Sequence, residues 1–189
     1  MTLIKDIINQ NKRLVKISKI ISDLSSESSI NSYLVGGCVR DLMLNPLADS
    51  IDIDIMVEGD GISFAKLLAK KMNIPKVIPF PKFATAKIPY HECEIEVASA
   101  RLESYDESSR SPSSIQISNI QDDLLRRDFT INAMAVSLNE NNFGEFFDPF
   151  NGMEDLKNKI LKTPLNPDNT FSDDPLRMMR ASYFASKLS

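Results

Sequence analysis

Histidine and cysteine are scarce in this sequence: one histidine, His91, and two cysteines, Cys38 and Cys93, among 189 residues. The cysteines lack metal-ligand spacing, which excludes a structural zinc site and fits a reducing compartment. No run of 18 apolar residues occurs, so no segment is built to span a membrane. Neither the Walker A pattern nor G-x-G-x-x-G is present, which excludes P-loop and Rossmann nucleotide sites. Excess positive charge is missing too. Lysine and arginine total 22 against 26 aspartates and glutamates, a net charge of −4. That balance argues against bulk adhesion to nucleic acid while leaving room for a local basic groove. The N-terminus has neither the apolar core of a signal peptide nor the acid-free, Arg-rich look of a transit peptide, and a cytoplasmic location is expected.

A hydrophobic content of 42% over this length can bury one sizeable core and the beginning of a second unit. Apolar spacing predicts one amphipathic helix over residues 3–24, ended by the polar cluster Ser25–Ser29. A strand over Ile30–Val35 should enter Gly36-Gly37, with a helix beginning near Val39 and closed by Asn45-Pro46. Alternation over Asp52–Val57 predicts a half-buried strand. Ile62–Met72 returns to helical spacing, and residues 75–98 read as a β meander punctuated by prolines. The serine-rich stretch 103–119 is expected to be a mobile loop. Asp128–Ala135 reads as a short helix, Val136–Leu138 and Gly144–Asp148 as strands, and Gly152–Lys159 as another helix. A last helix over 170–189 should have Asp174 among its N-cap candidates and Pro175 in its first turn. Met178-Met179 is expected in the core and His91 on the surface.

Several stretches carry chemistry. A glycine pair between strand and helix suits either close approach of a polyphosphate or simply a tight turn. Arg40 can meet phosphate oxygens or pair with Asp41. Asp52 and Asp54, at i and i+2 on a strand, share a face about 6.5–7 Å apart. Such carboxylates repel unless a cation lies between them, and hard oxygen ligands suit Mg²⁺; a solvated acidic face is the alternative. Glu92, Glu94 and Glu96 alternate likewise and offer one further ligand. Asp128 and Asn132, at i and i+4, can hydrogen-bond a ribose, or Asp128 can cap a helix beside two solvated arginines. Asp174 and Arg177 form a donor–acceptor pair at i and i+3, or a cap followed by a basic stripe that includes Arg180.

In this order the segments resemble the class II branch of the DNA polymerase beta-like nucleotidyltransferases, the tRNA CCA-adding enzymes and bacterial poly(A) polymerases. They are LVGGCVRD (34–41), IDID (51–54) with VEGDG (57–61), RRDFTINAM (126–134), FDPFNG (147–152) and DDPLRMMRA (173–181). The resemblance implies an α+β head with a small mixed sheet over residues 1–162 and the start of a helical neck over 163–189. It implies that Asp52 and Asp54 hold two Mg²⁺ ions, with Glu96 as the third acidic residue. Gly36, Gly37, Arg40 and Arg127 would bind the triphosphate, and Asp128 and Asn132 the ribose. Asp174 and Arg177, with Arg180 nearby, would read the edge of ATP or CTP. Tyr183 departs from the pattern, since the family usually has arginine there. The implied reaction adds CMP and AMP to the 3′ end of tRNA. Poly(A) polymerase, A-adding and CC-adding enzymes share these motifs, and an idle nucleotide- or RNA-binding module is the rival of another class. The family's body and tail, which carry most of the tRNA contacts, are absent, so this chain reads as an N-terminal fragment of unknown oligomeric state.

Overall fold

A computed structural model describes residues 4–47, 52–104 and 114–188. Two helices, α1 (Ile4–Gln10) and α2 (Lys12–Ser28), replace the single expected one. The break is at Asn11, whose side chain accepts from the Leu14 N–H and caps α2. The serine cluster does not end the helix, because its hydroxyls are satisfied in place. Ser28 donates to the Leu24 carbonyl at 2.6 Å, and the Ser25 and Ser32 hydroxyls share a 2.6 Å hydrogen bond. The turn comes at Ser29, in the left-handed region.

From there β1 (Ser32–Val35) runs directly into α3 (Gly36–Leu44), so the glycine pair is the first turn of the helix. Then come β2 (Ile53–Val57) and α4 (Gly61–Lys71), which Asp60 caps through the N–H groups of Ile62 and Ser63. The meander is β3 (Ile78–Phe80), β4 (Thr85–Tyr90) and β5 (Cys93–Ser99). Part of the expected 103–119 loop is a two-stranded ribbon of β6 (Arg101–Ser104) and β7 (Ser114–Ile117). Residues 105–113 of that stretch lie outside the described residues. Next are α5 (Ile120–Leu125), β8 (Ala135–Ser137), β9 (Phe146–Phe147) and α6 (Gly152–Lys157).

The helix expected over Asp128–Ala135 is absent. That stretch is extended at Phe129 and makes one 3-10 turn over Thr130–Asn132. The Thr130 N–H bonds to the Lys162 carbonyl and its hydroxyl to Asp155, so distant chain takes the partners a helix would supply. At the C-terminal end, α7 (Pro167–Asp173) and α8 (Leu176–Leu188) flank Asp174-Pro175. A residue before proline is driven out of the helical region, and Asp174 is extended. Its carboxylate accepts from the Leu176 N–H at 3.0 Å, the cap expected of it. Met178 and Met179 are exposed rather than in the core.

Seven strands form one mixed sheet in the order β3-β4-β5-β2-β1-β8-β9, with β2 and β5 its only parallel pair among the described strands. Side chains alternate across it. Leu34, Ile53, Ile55, Val57, Ile95 and Val97 join the main core, together with apolar residues from α1–α4. Tyr33, Val35 and Met56 belong to a smaller cluster with Ile120 and Leu124 of α5. Asp54 therefore shares a face with Met56, away from the main core. The sheet's second face is where polar chemistry can sit.

Candidate active site

The parallel pairing of β2 with β5 sets Asp54 opposite Glu96 in register. Both are half-buried and border a cleft of about 590 Å³. The Cys38 N–H, in the first turn of α3, donates to the Asp54 carboxylate. Burial pushes the Asp54 carboxyl up to about 6, reinforced by Glu96 and more weakly by Asp52; Arg127 and the Cys38 N–H oppose it. Asp52, just before β2 and exposed, turns its carboxylate to the Glu94 N–H at 3.1 Å. Lys87 of β4 bonds Glu94 at 2.7 Å and lies 3.7 Å from Glu96.

Among the described residues no three such side chains converge into a finished cation cage. The Asp52 carboxylate is turned to the Glu94 N–H, and Lys87 lies beside Glu96. The donor set nevertheless fits a hard divalent cation: carboxylate oxygens on one sheet face, one of them raised in pKa by burial and by the acidic residue opposite.

Opposite the acids, the cleft is lined by basic and amide side chains. Gly36 has φ +65°, and a Cβ there would lie 2.5 Å from Arg127 Nη1, so only glycine admits that arginine. Arg40 is buried and answers both expectations at once. It bonds Asp41 through Nε and Nη2, each at 2.9 Å, donates from Nη1 to Asn132 Oδ1, and still faces the cleft. Asn132 donates to Asp128 at 3.0 Å, so these two are joined, though across a tight turn instead of along a helix. Asp128 in turn accepts from Arg180 Nε at 2.7 Å, and Lys187 reaches Asp41 at 3.1 Å. Charged and amide groups thus run from α8 through Asp41, Arg40, Asn132 and Asp128 and back to α8.

Phe184 sits inside that ring. The Arg40 and Arg180 guanidiniums lie 4.8 and 5.2 Å from its ring centre, and Phe129 packs on it edge-on at 5.8 Å. Phe184→Ala should remove this anchor at a cost of about 3–5 kcal/mol. Hydrogen exchange should then accelerate in residues 176–188 while β2 and β5 keep their protection.

Asp174 and Arg177 also border the cleft. Arg177 is buried and donates to the Thr170 carbonyl at 3.4 Å. Tyr183, exposed, lines the cleft beside Phe184. The sequence reading assigned no role to Asp123, Phe184, Lys87, Arg101 or Arg126. Asp123 precedes the two arginines by three and four residues, a helical spacing that could have found it. Nothing local marks Lys87 or Arg101, which strand pairing brings in.

The family model described as the Poly A polymerase head domain matches residues 32–162. The chain belongs to that family. It is 41% identical over 160 residues to an A-adding tRNA nucleotidyltransferase of Aquifex aeolicus, covering 85% of this chain and 19% of that protein. It is 34% identical over 175 residues to a CCA-adding enzyme of Lactobacillus helveticus, covering 92% of this chain and 41% of that one. A solved structure of a CCA-adding enzyme with ATP superposes with a TM-score of 0.77 at 35% identity, over 94% of this chain and 38% of that chain. The chain therefore spans between about a fifth and two fifths of these relatives. Within the matched residues, the RRDFTINAM stretch contributes Arg126, Arg127, Asp128 and Asn132 to the cleft.

Proposed function

We propose that this chain is the catalytic head of a template-independent nucleotidyltransferase that adds CMP and AMP, from CTP and ATP, to the 3′ end of tRNA. The observation that carries this reading is the in-register pair Asp54–Glu96 facing a cleft whose other wall holds Gly37, Arg40 and Arg127, with Asp52 two residues before Asp54 and turned to the Glu94 N–H. An acid centre opposite arginines suits nucleotide transfer, where one side handles the reacting oxygens and the other the polyphosphate.

Asp52, Asp54 and Glu96 would hold Mg²⁺, which when bound supplies Lewis acidity toward the attacking hydroxyl and the α-phosphate. Arg127, beside Gly36, is set to pair with triphosphate oxygens, and Arg40 adds positive charge from the same wall. Asp128 and Asn132, locked to each other, orient the ribose hydroxyls. Asp174 and Arg177 read the base edge, the former accepting and the latter donating. The RNA 3′-hydroxyl attacks the α-phosphorus in line, and pyrophosphate leaves toward the arginines.

Addition of AMP alone is the second reading, favoured by the identity to the Aquifex A-adding enzyme. Labelled CTP and ATP offered with tRNA lacking CCA, and with tRNA ending in CC, separate the two. CCA addition extends both substrates, whereas A-addition extends only the second. Incorporation into neither would overturn the proposal and favour an idle binding module. Asp174→Ala and Arg177→Ala should each shift the ATP/CTP preference about tenfold or more, the loss expected for one hydrogen bond to a charged group. Total incorporation should fall less; unchanged preference would remove these two from base reading.

A further inference from the structure

We propose that Asp123 is a positioning residue for the nucleotide, its buried carboxylate clamping Arg126 and Arg127 in the orientation that meets a polyphosphate. The inference rests on the nucleotide reading above and goes beyond it to a residue that touches no substrate. Asp123 is 1% exposed, yet its carboxylate is fully used. One oxygen accepts from Arg126 Nη2 at 2.6 Å and Nε at 3.2 Å. The other accepts from Arg127 Nη2 at 2.8 Å and Nε at 3.1 Å. Both arginines line the cleft, and their side chains are about one-fifth exposed.

The geometry fixes which edge each guanidinium can offer. With Nε and Nη2 of both turned to the same carboxylate, Arg127 is left its Nη1 side. That nitrogen donates to the Asn132 carbonyl at 3.3 Å and occupies the space a Cβ at Gly36 would fill. Arg126 is steadied further by its Nε contact to the Arg101 carbonyl at 3.1 Å. Two guanidiniums this close repel each other, and one buried carboxylate between them offsets the repulsion. The three side chains together carry a net charge of +1. Burial works to raise the Asp123 pKa, but the two arginines outweigh it and hold the carboxyl below its ordinary range. The clamp thus stays ionised across the neutral range. An arginine that arrives already oriented loses less freedom when it binds phosphate, and preorganisation of that kind strengthens binding without a new contact.

A purely structural Asp123 would affect every ligand of the cleft alike, whereas a clamp affects the polyphosphate end. The test uses the whole protein and three competitors of a fluorescent ATP analogue: ATP, inorganic tripolyphosphate and adenosine. Asp123→Asn keeps the size but loses the charge and one acceptor. It should weaken ATP and tripolyphosphate about tenfold or more while adenosine changes less than about twofold, as removal of a charge-assisted anchor predicts. KM for ATP should rise more than kcat falls. If the single change does not fold, Asp123→Glu, which keeps the charge and both arginines but displaces the carboxylate, should show the same polyphosphate-selective loss to a smaller degree. Equal weakening of adenosine and tripolyphosphate, or no change in either, would overturn the clamp. Wild-type protein that binds neither ATP nor tripolyphosphate would overturn the nucleotide reading itself.

Discussion

Asp54→Asn should abolish nucleotide incorporation and at the same time make the metal-free protein more stable at neutral pH. The two effects share a cause. Asp54 is pushed up to about 6 from 3.8, chiefly by burial and by Glu96 opposite it. A carboxyl whose folded pKa lies above its unfolded value binds its proton more tightly when folded. Its ionisation therefore lowers stability as pH rises from about 4 to about 6, and the penalty is fully present above that. A shift of this size corresponds to about 3 kcal/mol. Asparagine removes the charge and can still accept from the Cys38 N–H, so most of the penalty should vanish. Denaturant melts at pH 7.5 without divalent ions should show the variant more stable, with the gap closing toward pH 4. Incorporation should drop by at least about a thousandfold, since a ligand of the reacting centre is gone. In the wild type, divalent-ion affinity should weaken as pH drops below about 6, because the proton Asp54 takes up competes with the cation. A destabilised variant would contradict the electrostatic account, and an active one the catalytic role.

Asp52→Ala should be just as inactive with almost no change in stability. Asp52 is exposed, outside the strand proper, and its carboxylate accepts from the Glu94 N–H at 3.1 Å. Removing a solvated carboxylate leaves the Glu94 N–H to water, so the unfolding free energy should stay within about 0.5 kcal/mol of wild type. The pair of variants separates chemistry from folding: equal loss of incorporation, unequal change in stability. If Asp52→Ala kept full activity, the acid centre would reduce to Asp54 and Glu96 alone.

The alternation over 52–57 was enough to put Asp54 on a face away from the apolar residues Ile53, Ile55 and Val57, and the helix stop at Asn45 was equally legible. The partner strand was not. Glu92, Glu94 and Glu96 alternate identically; the family resemblance singles out Glu96, and the register with β2 sets that residue opposite Asp54. Residues 128–135 read as a short helix, with Asp128 and Asn132 at i and i+4 on one face. Tertiary partners decided otherwise: the Thr130 N–H goes to Lys162 and its hydroxyl to Asp155. Serines 25–28 read as loop on composition, yet their hydroxyls are paired within or beside α2. Arg40 shows the limit of local odds. Asp41 and the cleft were posed as alternatives, and a guanidinium with five donors serves both. Phe184 was invisible in its function because its meaning comes from two arginines on different elements.

The central claim is that the face carrying Asp54 and Glu96 joins nucleotides to an RNA end. The most direct measurement is simultaneous: label from [α-³²P]ATP or CTP joined to the 3′ end of tRNA, and pyrophosphate released, with and without a chelator of divalent ions. The account predicts one pyrophosphate for each nucleotide joined, and both signals lost in EDTA. Joining that persists in EDTA, or nucleotide hydrolysis with no extension of the RNA, would contradict it.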